Sequence, residues 1–158
     1  MGGGGAAGLR HVNPFWTYSL AFYAQPGVMP ACLALQDQHG VDVNLALLCC
    51  WLGEALDAAA LAEAEALVAE WRAQVVQPLR AVRRWLKGRD ETLRAAIAAQ
   101  ELAAEQHQQA MLHGWAMARW PAAGAAPGRH AAANRALLSA APEATALASS
   151  ACAFRGTP

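Results

Sequence analysis

The chain is short of lysine, of paired cysteines and of long apolar runs, and each shortage removes a class of protein. Lys87 is the one lysine beside eleven arginines, a skew that reads as coding bias rather than as a sign of anion binding. Acids and bases number twelve each, so the formal charge is zero. A general nucleic-acid coat, or a binder of acidic lipid, would carry net positive charge. The four cysteines, Cys32, Cys49, Cys50 and Cys152, form no CxxC pair and no disulfide framework, which points to reduced, buried thiols. The longest apolar run, Leu45 to Leu52, is far shorter than the about 20 residues that cross a bilayer. The opening MGGGGAAGLRH lacks the apolar segment of a secretory signal. A cytoplasmic protein with no membrane partner is the expectation.

What the sequence has in plenty is alanine. Apolar residues make up 56% of the 158, and the alanine share tilts them towards helix. The length suits one domain with one core. Start and stop signals divide the chain. Asn13-Pro14 is a good N-cap followed by a tolerated first-position proline, and QPG (Gln25 to Gly27) ends that helix. A second helix is predicted over Val28 to His39, closed by Gly40 in the left-handed conformation. Asp42 then caps a third, Val43 to about Leu52, apolar nearly all round and therefore central.

Asp57 is placed to cap a long helix with the stripe Leu61, Ala64, Val68, Trp71, Val75, Leu79, Val82, Leu86, with a kink expected at Pro78. After Gly88, Asp90 opens another helix with the stripe Leu93, Ile97, Gln100, Ala104, Gln108, Met111, Trp115. Folding the two back at Gly88–Arg89 levels Val82 with Ile97, Val75 with Ala104 and Val68 with Met111. The fold class is therefore all-α: a single-domain bundle of about five to six helices built round a long antiparallel hairpin, about 58–87 and 91–119. A Gly-rich leader (1–12) precedes the helical core (13–120); a linker-like segment (121–134) and a weak C-terminal helix (135–155), interrupted near Pro142, come after it.

The stretch FWTYSLAFYAQPGVMPACLALQDQHGVDVNLALLCCWLG carries a resemblance. It is similar to a family of short bacterial proteins of unknown function with the pattern FW-x-x-SL-x-x-Y-x-x-PGV, then CL-x-LQD-x-x-G-x-DVN-L. WRAQVVQPLRAVRRWLK looks like that family's middle segment, so the likeness runs over about 15–120. It implies no catalytic or cofactor role for any residue.

Chemistry is sparse. Asp37, His39, Asp42 and Asn44 cluster, but they lack the frame of an EF-hand, and capping accounts for Asp42. Glu101, Glu105 and His107 miss the Glu-x-x-His spacing of a di-iron bundle. Ser19 and Cys32 have no adjacent base, so no catalytic residue, metal or cofactor is assigned. The charge is segregated: seven acids and no base from Asp37 to Glu70, then seven bases and two acids from Arg72 to Arg94. This predicts ion pairs between helices, Arg80 with Glu101 and Arg72 with Glu105. Arg80, Arg83, Arg84 and Lys87 form a basic stripe. Phe15, Trp16, Tyr18, Phe22, Tyr23 and Trp51 are aromatic area for the core or for a groove.

Three readings of function compete. The leading one is a non-enzymatic domain that binds a protein partner through its first helix or the basic stripe. The alternative is a small-ligand or enzymatic domain with a site near Asp37, Asp42 and Asn44, walled by Trp16 and Tyr23. The third, contact with phosphate or nucleic acid through Arg80, Arg83, Arg84 and Lys87, is disfavoured by the zero net charge.

Overall fold

The structure, a computed structural model, describes residues 13–154, so the expected leader (1–12) lies outside the described residues. Helix α1 spans Pro14–Tyr23, with Asn13 Oδ1 accepting from the Phe15 N–H at 2.9 Å. Helix α2 runs Val28–His39 between two left-handed glycines, Gly27 and Gly40. Helix α3, Val43–Trp51, is buried at every residue from Asn44 to Trp51. A helix apolar all round has no solvent face to offer, and α3 is accordingly enclosed by α1, α2, α6, α7 and α8.

Helix α4 (Ala58–Trp71), a π turn (Arg72–Val76) and α5 (Gln77–Leu86) form one continuous rod. Pro78 has no N–H to give, and the chain meets this with the wider turn, in which the Gln77 N–H reaches the Arg72 carbonyl. A π turn inserts a residue and rotates the rest of the helix beyond it. The apolar stripe predicted across Pro78 therefore loses phase: Val76 is buried while Val82 is exposed.

Helix α6, Glu91–Arg119, runs back along the rod. Glu63 bonds Arg119, Trp71 donates to the Ala104 carbonyl and Arg80 bonds Glu101, so rising numbers on one limb meet falling numbers on the other. The buried face of α6 is Glu101, Ala104, Gln108, Gln109, Leu112 and Ala116. Relative to the expected stripe, this face is turned by about one position: Gln100 is exposed and Glu101 is inside. Apolar periodicity misleads here because the inward residues of the middle of α6 are polar.

The segment with linker-like composition is packed. The Gly124 N–H bonds the Leu52 carbonyl and the Gly128 N–H the Cys50 carbonyl, both at 2.8 Å, capping the buried end of α3. Gly124 has φ +78°, and a Cβ there would lie 2.3 Å from the Trp51 ring, so only glycine allows the approach. The single C-terminal helix expected over 135–155 is instead two, α7 (Ala131–Leu138) and α8 (Pro142–Ala153), because Pro142 opens a helix rather than breaking one. Taking the α4–α5 rod as one, that makes seven helices among the described residues against the five to six expected. Buried Asn134 secures the seam, accepting from the Leu56 N–H and donating to the Glu54 carbonyl, each at 2.8 Å.

Candidate ligand site

The polar residues of α6 succeed one another at helical spacing, Glu101, Glu105, Gln108, Gln109, and face the start of α3 and the middle of α5. There they build a continuous ribbon. Arg80 donates from Nε to Glu101 at 2.9 Å and from Nη2 to Glu105 at 2.7 Å. Arg83 grips both oxygens of Glu101 from Nε and Nη2. One turn further on, Gln109 Nε2 donates to Asn44 Oδ1 at 2.9 Å, and Gln108 Nε2 to Asp42 Oδ2 at 2.6 Å. Asp42 keeps its capping role, with Oδ1 accepting from the Asn44 N–H at 2.8 Å.

The two acids that α6 brings to the ribbon are pushed in opposite directions. Burial alone would raise the Glu101 carboxyl, but the hydrogen bonds from Arg83 and Arg80 prevail and hold it below the ordinary value. Glu105 is raised, by burial first, with Arg80 opposing and the charge of Glu101 adding to the rise. Burial likewise raises the Tyr23 phenol above it.

Over this ribbon lies a cleft of about 310 Å³. Trp16, Leu20, Tyr23, Leu33, Leu47 and Leu102 form its apolar wall; Arg80, Arg83, Glu101, Glu105, Asn44 and Gln109 form its polar floor. A concave apolar wall with a few convergent polar groups is the usual form of a small-molecule site.

The predicted residues distribute unevenly. Asn44, Trp16, Tyr23, Arg80 and Arg83 meet in the cleft, although sequence spacing divides them among separate readings. Asp42 lies beneath it, engaged with Gln108. Asp37 is elsewhere, exposed on α2 and bonded to Arg84 at 2.6 Å. Its carboxyl is held low by that arginine. Lys87 is exposed and makes no ion pair among the described residues.

Arg80 bonds Glu101. The expected Arg72–Glu105 pair does not form: Arg72, at the start of the π turn, points to Asp42 at 3.5 Å and to the Gly40 carbonyl, leaving Glu105 to Arg80. The π turn explains this, since it breaks the regular register on which that pairing depends. Phe15, Tyr18, Phe22 and Trp51 belong to the core, with Phe154 stacked on Phe22. His39 meets Glu143 of α8 at 3.2 Å. Among the described residues no three His, Cys, Asp or Glu side chains are grouped to hold a metal.

Sequence reasoning set Ser19 aside and missed Leu20, Leu33, Leu47, Leu102 and Gln109. The four polar positions of α6 were the available signal, since a run of inward-spaced Glu and Gln on a long helix requires a polar partner elsewhere.

These features define an all-helical domain with a cleft at the junction of α1, α2, α3, α5 and α6. Residues 14–112 match a protein family described as a protein of unknown function, DUF2390, and the chain belongs to that family. The match takes in every residue of the cleft and ends before α7, so the family's shared segment includes the site but not the C-terminal pair of helices. No match is found among curated proteins or among solved structures.

Proposed function

We propose that this domain binds a small amphipathic molecule in the α1–α6 cleft. The observation that carries the reading is the convergence itself: residues from Trp16 to Gln109 bring an apolar wall and an arginine–carboxylate floor to one concave site. Salt bridges placed only for stability gain little over an apolar core, and four charged side chains at the floor of a cleft are better explained by something they orient. The test is titration of amphipathic fragments into isotope-labelled protein, read by amide and indole chemical shifts. Shifts centred on Trp16, Leu33 and Leu102, and absent in Trp16→Asp, support the reading. Shifts scattered over the surface, or unchanged in Trp16→Asp, overturn it.

One observation favours a protein partner as the second reading. Trp85 is 63% exposed near the tip of the hairpin, with Val82 and Leu93 also exposed. A partner held there would be lost in Trp85→Glu and retained in Trp16→Asp, the reverse of the pattern expected for the cleft.

A further inference from the structure

The cleft floor leaves a particular set of groups without a protein partner among the described residues, and that set describes a head group. On the donor side, Arg80 and Arg83 spend Nε and Nη2 on the two glutamates, and neither makes a bond from Nη1 among the described residues. Asn44 gives its Oδ1 to Gln109, while its Nδ2 makes no bond among the described residues. On the acceptor side, Glu105 uses Oε1 for Arg80 and makes no bond through Oε2 among the described residues. Gln109, 1% exposed, has a buried Oε1 without a hydrogen-bond partner, and Ser19, 3% exposed, has a buried hydroxyl in the same state. Both line the cleft. Native interiors rarely tolerate such atoms, and an unfilled acceptor one helical turn from a half-used carboxylate asks for a donor.

The wanted complement thus has an anionic acceptor for the guanidiniums and a cationic donor for the Glu105–Gln109 side, a short distance apart. It also has an apolar body for the wall of Trp16, Leu20, Leu33 and Leu102. The four floor charges cancel, so a net-neutral ligand disturbs the balance least. We infer that the cleft takes an α-amino acid with a large apolar or aromatic side chain, its carboxylate towards Arg80 and Arg83 and its ammonium towards Glu105 and Gln109. The cleft of about 310 Å³ accommodates one such molecule. This rests on the reading of the cleft as a small-molecule site.

The experiment uses three probes that share one body and differ in the head: L-phenylalanine, 3-phenylpropanoate, which lacks the ammonium, and phenethylamine, which lacks the carboxylate. Affinities come from calorimetry and the location of binding from chemical shifts. L-Phenylalanine should bind about tenfold or more tighter than either single-headed analogue, since each charge-assisted contact is worth at least that factor. Arg83→Gln should weaken L-phenylalanine and 3-phenylpropanoate but not phenethylamine. Glu105→Gln should weaken L-phenylalanine and phenethylamine but not 3-phenylpropanoate.

If either analogue matches L-phenylalanine while shifting the cleft residues, the zwitterionic head is wrong and the amphipathic cleft survives. If none of the three binds the cleft, the inference is overturned, and the cleft reading then stands or falls on its own fragment titration. Should Arg83→Gln fail to fold, Leu102→Glu on the exposed rim provides the second arm. It should weaken all three probes, and an unchanged affinity for L-phenylalanine there also overturns the inference.

Discussion

The two ends of α6 live in different surroundings. From Ala104 to Ala116 its inner face lies against α3, α4 and α1, and Leu112 and Ala116 are wholly buried. From Glu91 to Gln100 no residue is fully buried, and Leu93, like Val82 and Trp85 on the rod, remains largely exposed. One helix therefore has one half buried in a shared core and the other half largely open to solvent. The ribbon from Glu101 to Gln109 lies at the boundary, where burial is deep enough to strengthen ion pairs and the cleft still admits a ligand. Burial is concentrated at one end of the hairpin, and the candidate site is placed where that burial runs out.

The largest expected effect breaks the well-held end. Leu48→Ala removes a wholly buried side chain from the centre of α3, where neighbours on several helices cannot all close in. It should destabilise the fold by about 2–5 kcal/mol in denaturant melts. Gly124→Ala attacks the same end through backbone, combining a positive φ with a Cβ against Trp51, and should lower the melting temperature markedly. A neutral result for Gly124→Ala would mean that the 121–130 segment does not cap α3.

Local chemistry made much of this fold legible. Asn13, Asp42, Asp57 and Asp90 act as N-caps where the sequence placed them, and Gly40 closes α2 as a left-handed glycine. Such signals act through neighbours in the chain, so the chain reports them. The phase of α6 was not legible in the same way, because apolar spacing ranks Gln100 and Glu101 alike until the arginines opposite are known. The role of the 121–130 segment was hidden for a related reason: Gly124 and Gly128 look like linker glycines unless one knows which backbone they approach. The cleft was visible only in fragments, since Trp16, Asn44, Arg83 and Glu105 share no local pattern and meet through four different helices.

A middle-sized effect tests the boundary. Glu101→Gln leaves Arg83, whose side-chain bonds all go to Glu101, without its charged partner, and should cost about 1–3 kcal/mol. Arg83→Met should couple with it in a double-mutant cycle, whereas Arg80→Met should compensate poorly because it also strands Glu105. The pH dependence separates the two acids. Glu101, lowered in the fold, contributes stability above its unfolded value that is lost as pH falls through its folded value. Glu105, raised in the fold, contributes stability at low pH that is lost as pH rises through its folded value. The two slopes oppose each other across the carboxylate range. Glu105→Gln removes the falling one, so its stability should rise more steeply with pH than that of the parent. An unchanged profile would show that Glu105 titrates as it does in the unfolded chain.

The smallest expected effect lies at the tip. Trp85 is largely exposed and meets Arg89, whose guanidinium lies 4.8 Å above the ring and whose Nη1 donates to the Trp85 carbonyl. The carbonyl bond survives truncation of the ring, so Trp85→Ala removes one exposed cation–π contact and little buried area. The change should lie within about 1 kcal/mol. Hydrogen exchange supplies the sharper measurement. Amides near the tip, around residues 82–98, should exchange by local opening, while those of α3 should exchange only on global unfolding. Trp85→Ala should accelerate the first group and leave the second unchanged. Tip amides that exchange as slowly as those of α3 would mean that the hairpin end is covered in solution. The contrast between the two ends of α6 would then belong to the isolated chain alone, and Trp85 would lie in an interface rather than at a free end.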